Sequence, residues 1–255
     1  MGWSHIRVEH SSPRLTITLD RPDKRNALSL ELMTETVKAL REVPDDVRVV
    51  VLAADGPAFS AGHDLAEMIG REASFYQELF AVCTEMMTTI QQIPQPVIAR
   101  VHGVATAAGC QLVASCDLAV ASTEAWFATP GVRIGLFCTT PAVPLVRAIG
   151  RKRAMEMLLT ARPVDAATAL EWGLVNRVVP PEDLDPAIDE YVETISSYSA
   201  HVIALGKETF YRQAGRPIDE AYAIAQPVMA DNAGAPHAQE GMSAFLEKRQ
   251  PIWPD

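Results

Sequence analysis

The sequence lacks any uninterrupted apolar run of the roughly 18 residues that a membrane-spanning helix needs. Its most apolar region, residues 96–122, is broken by Arg100, His102 and Asp117. Positive charge is also scarce, because 22 Lys and Arg face 32 Asp and Glu and leave a net charge of -10. A nucleic-acid surface needs a basic face. We therefore expect no membrane span and no nucleic-acid partner.

Cysteine is scarce as well. The four residues show no CxxC pair and no accompanying histidine pattern: Cys83, Cys110, Cys116 and Cys138. We therefore expect no metal site and no disulfide framework. The first ten residues, MGWSHIRVEH, have neither the apolar centre of a signal peptide nor the arginine-rich pattern of a transit peptide. From this composition we expect a cytoplasmic protein.

The sequence does contain alternating strand and helix patterns. Alternating apolar and polar residues predict a half-exposed strand at 15–19, and more continuously apolar runs predict buried strands at 47–53, 97–101 and 118–121, with helical segments between them. Ser29 has the position of an N-cap for the first helix. This alternation is typical of an α/β protein with mostly parallel strands. After about residue 182 the patterns become helical only.

Two predicted strands end in small residues. The first turn continues into a helix that begins at Ala107, Ala108 and Gly109, whose small side chains leave the backbone N–H groups accessible. The second turn is FSAGHDL, residues 59–65, where Asp64 and Glu67 have the spacing of an N-capping pair. Two converging amides can stabilise an oxyanion. The structural alternative is close helix packing in an α/β core.

These segments and several others resemble the crotonase superfamily, the enoyl-CoA hydratases and isomerases that act on acyl-CoA thioesters. The resemblance covers nearly the whole chain, in the order RPDKRNALS, FSAGHDL, QPVIARVHG, SCDLAVAS, ATPGVRIGL, LLTARPVDAATALEWGLVNRVV and EGMSAFLEKRQP. More narrowly, AAGCQLVASCD, ATPGV and GLFCTTP are similar to the subgroup called enoyl-CoA hydratase domain-containing protein 3.

The resemblance implies a fold and a quaternary structure. Residues 1–181 would form an α/β core built as a crotonase-like spiral of ββα turns, which carries the CoA-thioester site. Residues 182–255 would form a helical C-terminal oligomerisation region that makes subunit contacts in a homotrimer or homohexamer.

The resemblance also implies site residues. The backbone N–H groups of His63 and Ala108 would form the oxyanion hole. Coenzyme A would be held as part of the substrate, with no permanently bound cofactor and no metal. The residues implied at the CoA site are Lys24, Arg25, Ala27, Ala61, Asp64 and Leu65.

The chain departs from the pattern of the family's hydratases at two positions. Hydration needs a base and an acid, which those enzymes supply as two glutamates; the matching positions here hold Gln111 and Gly131. Neither residue can transfer a proton. Gln111 is interpreted either as an orienting amide or as a neutral lining residue. The remaining candidates for chemistry are the His63 imidazole and the Cys138 thiol.

The function expected from the sequence is therefore that of an acyl-CoA thioester-binding member of the enoyl-CoA hydratase/isomerase family, with a backbone oxyanion hole and weak or absent hydratase activity. One alternative is a different reaction on a CoA ester, such as isomerisation, decarboxylation or thioester hydrolysis. Another is a non-catalytic acyl-CoA binding protein.

Overall fold

The computed structural model describes residues 2–254, and its strands form two sheets. The larger sheet has six strands in the order β1-β2-β3-β5-β7-β10, and the smaller has four in the order β4-β6-β8-β9. The strands are β1 Ile6–Ser11, β2 Arg14–Leu19, β3 Val49–Ala54, β4 Ala58–Ser60, β5 Val97–Val101, β6 Val104–Thr106, β7 Leu118–Ser122, β8 Trp126–Ala128, β9 Val164–Asp165 and β10 Arg177–Val179.

From β3 to β8 the strands form three successive pairs, and in each pair the first strand belongs to the larger sheet and the second to the smaller sheet. β3, β5 and β7 lie side by side and parallel in the larger sheet, whereas the strands that follow them, β4, β6 and β8, are parallel neighbours in the smaller sheet. A helix follows each pair. The chain therefore winds as a spiral of ββα turns, and the fold expected from the family resemblance is confirmed.

The helices of the first 180 residues surround these sheets. They are α1 Leu30–Arg41, α2 Leu65–Met68, α3 Ala73–Gln92, α4 Ala108–Ser115, α5 Thr139–Thr160 and α6 Ala166–Trp172. The Ser29 side chain accepts a hydrogen bond from the Leu32 amide, so the predicted N-cap of α1 is confirmed.

The central strands of the larger sheet, β3, β5 and β7, are buried on both faces. The main core packs one face against α1, α3 and α4 and includes the fully buried Leu52, Met86 and Leu112. A second cluster covers the opposite face, where Val51 and Ile98 meet residues of α7, Leu184–Ser196. Strands buried on both faces are continuously apolar, which explains why the sequence of β3 shows no alternation.

Three further helices follow α7: α8 Ala200–Gln213, α9 Ile218–Gly234 and α10 Pro236–Glu247. An ion pair with little solvent exposure anchors α8 to the core, since Lys207 Nζ lies 2.7 Å from the carboxylate of Asp117 and the two side chains are 7% and 14% exposed. The Tyr211 hydroxyl donates to the same carboxylate at 2.7 Å. Of the helices described between residues 2 and 254, none combines the length and apolar character needed to cross a membrane. The division of the chain at residue 181 stays a prediction.

Candidate functional site

The two small-residue turns lie against each other. Gly62 has φ = 89°, and a Cβ placed there would lie 2.7 Å from Ala107 Cβ and 3.3 Å from the Ala108 nitrogen. Both conditions require glycine, because other residues avoid positive φ and a side chain would collide. Similarly, a Cβ at Gly109 would lie 2.4 Å from the Ser60 carbonyl oxygen. These two glycines bring the end of β4 next to the start of α4.

Each turn leaves one backbone amide unused. Leu28 and His63 form a parallel bridge in which Leu28 donates to the Gly62 carbonyl and accepts from the Asp64 amide. The His63 amide takes no part in these two hydrogen bonds. The Ala108 amide begins α4, and Ala107 offers no side chain to cap it. Within residues 2–254, neither amide donates to a protein acceptor.

Ala107 holds its turn in a strained conformation. Its φ of 50° and ψ of -118° are unusual for any residue other than glycine. A hydrogen bond from its amide to the Ala128 carbonyl, 2.9 Å long, fixes the turn to β8. Backbone strain of this kind costs about 1–3 kcal/mol and is concentrated at functional sites.

Hydrogen bonds connect the segment before α1 to the FSAGHDL turn, residues 59–65, and to the strand before it. Asn26 is fully buried, and its Nδ2 donates to the carbonyls of Asp55 and Ala58 at 2.6 and 2.8 Å. The Ser60 hydroxyl donates to the Asn26 carbonyl at 2.8 Å. The Ala61 amide donates to the Arg25 carbonyl at 3.0 Å. These bonds place residues 21–28 beside FSAGHDL, a contact that the linear sequence does not display.

Of the six residues expected at the CoA site, Ala61 and Leu65 line the cavity described below, and the other four fall into two groups. Asp64 and Ala27 are tied to Arg21, whose guanidinium donates to the Ala27 carbonyl at 2.8 Å and lies 3.0 Å from the Asp64 carboxylate. Lys24 and Arg25 are exposed, and no other group in the described chain pairs with their side chains. Two cations are thus presented on a rigid loop.

Asp64 and Glu67 do not form the predicted pair. Asp64 does cap α2, because its side chain accepts from the Ala66 amide. Glu67 instead accepts from the Leu30 amide at 3.0 Å, so it satisfies the start of α1. The interpretation of Glu67 as a cap is confirmed, but the helix predicted for it is wrong, because Glu67 bonds to the Leu30 amide at the start of α1 and not to the four-residue α2.

A cavity of about 450 Å³ lies in front of the two amides. Residues from both turns, from α3 and from the 130–141 segment line it: Ala61, His63, Leu65, Met68, Phe80, Ala107, Ala108, Pro130, Gly131, Arg133, Ile134, Leu136, Phe137, Cys138, Thr139, Thr140 and Pro141. This lining includes most of the predicted site but not Lys24, Arg25, Ala27, Asp64 or Gln111. Its apolar wall and its lack of a carboxylate make it suited to an uncharged acyl group.

His63 is the unusual polar residue of this cavity. Its ring meets Phe80 edge to face, with centroids 5.3 Å apart. Both ring nitrogens are buried and make no hydrogen bond. Burial lowers the pKa of the imidazole, and the nearby Leu28 backbone opposes this shift to a smaller extent. Each unpaired buried nitrogen costs about 1–3 kcal/mol.

Gln111 lies behind the cavity rather than in its lining. The residue is 4% exposed, and its Oε1 is 4.0 Å from Cys83 Sγ on α3. It follows Ala108 by three positions and shares that face of α4. A neutral amide therefore occupies the position that the resemblance assigns to the first glutamate.

Gly131 is enclosed. A Cβ there would lie 2.7 Å from the Leu136 carbonyl oxygen and 2.8 Å from Cys138 Sγ. The 135–138 loop thus fills the space that a side chain at position 131 would enter. Burial raises the pKa of the Cys138 thiol, so the thiol rather than the thiolate is favoured at neutral pH.

Sequence reasoning missed the apolar wall of the cavity. Met68, Phe80, Leu136 and Phe137 come from three separate segments and carry no motif of their own. One signal was available in the sequence: Leu136 and Phe137 lie next to Cys138 in the GLFCTTP segment that the family resemblance includes.

Comparison with known proteins supports these observations. Residues 11–255 match the family described as enoyl-CoA hydratase/isomerase. Enoyl-CoA hydratase domain-containing protein 3, mitochondrial, of Rattus norvegicus is 46% identical over an alignment of 260 positions that covers 95% of this chain and 85% of the relative. The Homo sapiens protein of the same name is 46% identical, over 93% of this chain and 79% of its own length. The resemblance to this subgroup is confirmed.

Two solved structures also closely resemble the fold of this chain. An enoyl-CoA hydratase of Mycobacterium smegmatis superposes with a TM-score of 0.95 at 50% identity, covering 98% of this chain and 99% of its own. Human enoyl-coenzyme A hydratase domain-containing protein 3 superposes with a TM-score of 0.94 at 43% identity, covering 98% and 100%.

The expected cytoplasmic location is wrong. The rat and human relatives are both named as mitochondrial proteins, which contradicts it. The physical reason is that targeting segments are separate from the folded domain and are removed from the mature protein. The composition of the first ten residues therefore did not determine the compartment.

Proposed function

The chain belongs to the enoyl-CoA hydratase/isomerase family, and we propose that its cavity binds an acyl-CoA thioester whose carbonyl oxygen lies between the amides of His63 and Ala108. The observation that carries this proposal is the pair of unused amides, held together by the contact between Gly62 and Ala107 at the edge of the cavity. One such donor contributes about a hundredfold to a thousandfold in rate when charge develops on the oxygen.

Coenzyme A brings phosphates to a protein of net charge -10, so its binding needs a local source of positive charge. Lys24 and Arg25 supply it in this proposal, because both are exposed and their loop is fastened beside Ala61. Ala27, Asp64 and Leu65 complete the CoA contacts. The ion pair between Arg21 and Asp64 offsets the negative charge of the Asp64 carboxylate and so reduces its repulsion of the CoA phosphates.

We propose further that the site hydrates enoyl-CoA weakly or not at all. Each positioned acid or base is worth about a hundredfold to ten-thousandfold. Gln111 cannot take a proton from water, and Gly131 is enclosed by Leu136 and Cys138. Because the cavity lining contains no Asp or Glu, no carboxylate replaces them there.

The oxygen contact can be tested with two ligands that differ only in the carbonyl. Butyryl-CoA has the thioester carbonyl, whereas S-butyl-CoA has the same chain and the same CoA joined by a thioether. Two hydrogen bonds contribute roughly 1–3 kcal/mol together. We expect calorimetry to give about 5-fold to 150-fold tighter binding of the thioester. Equal affinities would contradict the oxyanion hole.

A matched variant separates the CoA contacts from the carbonyl contacts. Lys24→Ala with Arg25→Ala should weaken both ligands by the same factor and leave their affinity ratio unchanged. If this variant binds both ligands as tightly as the unaltered protein does, Lys24 and Arg25 are not part of the CoA site.

A second function is favoured by the same cavity. The missing carboxylates fit a protein that binds acyl-CoA without catalysis, or one that uses the stabilised enolate for a reaction other than hydration. A screen of saturated, unsaturated and carboxylated acyl-CoA esters distinguishes them: binding without any product favours the first, and turnover of one class favours the second.

We propose that the assembly is a homotrimer or homohexamer. No residue of α8 or α9 is buried in the single chain, and apolar side chains such as Phe210, Tyr222 and Met229 are more than half exposed. Sedimentation equilibrium should give three or six times the 27.7 kDa chain mass. A monomer at micromolar concentration would contradict the proposal.

A further inference from the structure

The His63 imidazole lies near the Leu28 carbonyl but makes no hydrogen bond with any group of residues 2–254. It lies in a cavity whose other lining residues are mostly apolar, yet both of its nitrogens are buried without a hydrogen bond. A buried polar group left unsatisfied in a native structure calls for a functional explanation. The rings of His63 and Phe80 make a T-shaped contact, which positions the imidazole without supplying a hydrogen bond.

Its position on the chain is equally informative. The amide proposed to hold the thioester oxygen and the imidazole belong to the same residue. The carbon next to the thioester carbonyl, C2, is two bonds from that oxygen. Both ring nitrogens are buried in this conformation, so the ring reaches C2 by turning about its side-chain torsions into the cavity.

We propose that His63 is a catalytic base that removes a proton from C2 of the bound thioester and returns it. This inference rests on the proposed function. The C2–H bond breaks, its electron pair forms the enolate, and the negative charge moves to the thioester oxygen between the amides of His63 and Ala108. The proton moves to a ring nitrogen of His63 and returns to C2 or exchanges with solvent.

The other groups that face the cavity are poorly suited to this step. Arg133 offers only hydrogen-bond donors, and its guanidinium is anchored to the Ala161 carbonyl at 2.8 Å. Cys138 has a raised thiol pKa because of burial. Thr139 and Thr140 are alcohols. Among the lining residues, His63 is the group that can accept a proton near neutral pH.

The pH dependence follows from the direction of the His63 pKa. Burial lowers that pKa, so the neutral ring that accepts a proton persists to lower pH than in an ordinary histidine. Proton removal should therefore stay constant through neutral pH and decline only below the usual range of histidine. The Leu28 carbonyl faces the ring, and Asp64 beside it is neutralised by Arg21.

The test uses a substrate that can be neither hydrated nor isomerised. The full chain is incubated in D₂O with butyryl-CoA, and deuterium at C2 is followed by proton NMR. We expect enzyme-dependent exchange in the unaltered protein and a loss of at least about a hundredfold in His63→Phe. Phenylalanine keeps a planar ring against Phe80 and keeps the backbone amide, so butyryl-CoA should still bind.

The control variant is His10→Phe, which removes an exposed histidine paired with Asp46 outside the cavity. It should exchange at the unaltered rate. Exchange that persists in a folded His63→Phe protein would overturn the proposal, as would carbonyl-dependent binding with no exchange in the unaltered protein. Failure of butyryl-CoA to bind at all would instead refute the proposed function. If His63→Phe is poorly folded, His63→Leu answers the same question.

Discussion

Replacing Gly131 with alanine tests whether the second carboxylate position is closed. The added Cβ would lie 2.7 Å from the Leu136 carbonyl oxygen and 2.8 Å from Cys138 Sγ. Favourable contacts between carbon atoms begin near 3.5 Å. One of the two neighbours is backbone, so the loop itself must move. Overpacking of this kind costs about 1–3 kcal/mol.

For a chain of this size we expect Gly131→Ala to melt roughly 2–12 °C below the unaltered protein, measured by calorimetry. Gly206→Ala is the matched control, because Gly206 lies within α8 and a Cβ there meets no atom within 4 Å. That variant should gain about 0.5–1 kcal/mol from the better helix former. Unchanged stability of Gly131→Ala would refute the view that the 135–138 loop closes this position.

The same geometry limits any attempt to restore hydration. Glutamate at position 131 meets the same two atoms before its carboxylate is placed. We therefore expect Gln111→Glu with Gly131→Glu to remain a poor hydratase unless the loop is redesigned too.

Two further predictions test the scaffold, and the first has a control variant. Lys207→Met should destabilise the protein by about 3–5 kcal/mol in urea unfolding, because it leaves the carboxylate of Asp117 buried without its cation. Arg14→Met removes an exposed pair with Asp189 and should cost less than about 1 kcal/mol; equal losses would contradict the anchoring role of Lys207. Ala107→Gly should stabilise the protein by up to about 2 kcal/mol, since relief of the strained φ outweighs the added freedom of the unfolded chain. A lower melting temperature for Ala107→Gly would show that its side chain is needed against Gly62.

Much of the larger sheet could be predicted from the sequence. β3, β5 and β7 are five or six residues long and almost wholly apolar, which is a strong local signal. β4, β6 and β8 could not be found in this way, because three residues are too few to show a period. β1 was missed because IRVEHS has few apolar residues and pairs along one edge with β2.

The site was predictable in its local parts only. Gly62 and the small residues of the 107–109 turn can be recognised in the sequence because each follows a predicted strand. The cap that Glu67 provides to Leu30, and the closure of Gly131 by Cys138, depend on contacts between distant segments. The spiral itself was recognised through family resemblance, since periodicity does not distinguish it from a doubly wound sheet.

The central claim is that the cavity binds the thioester but lacks the groups that hydrate it. Its most direct test is to mix the purified protein with crotonyl-CoA and a longer enoyl-CoA, follow the absorbance of the conjugated thioester, and measure binding by calorimetry in the same samples. The account predicts clear binding with little or no loss of absorbance. Rapid loss would contradict it, because some residue would then be doing the work of the two glutamates.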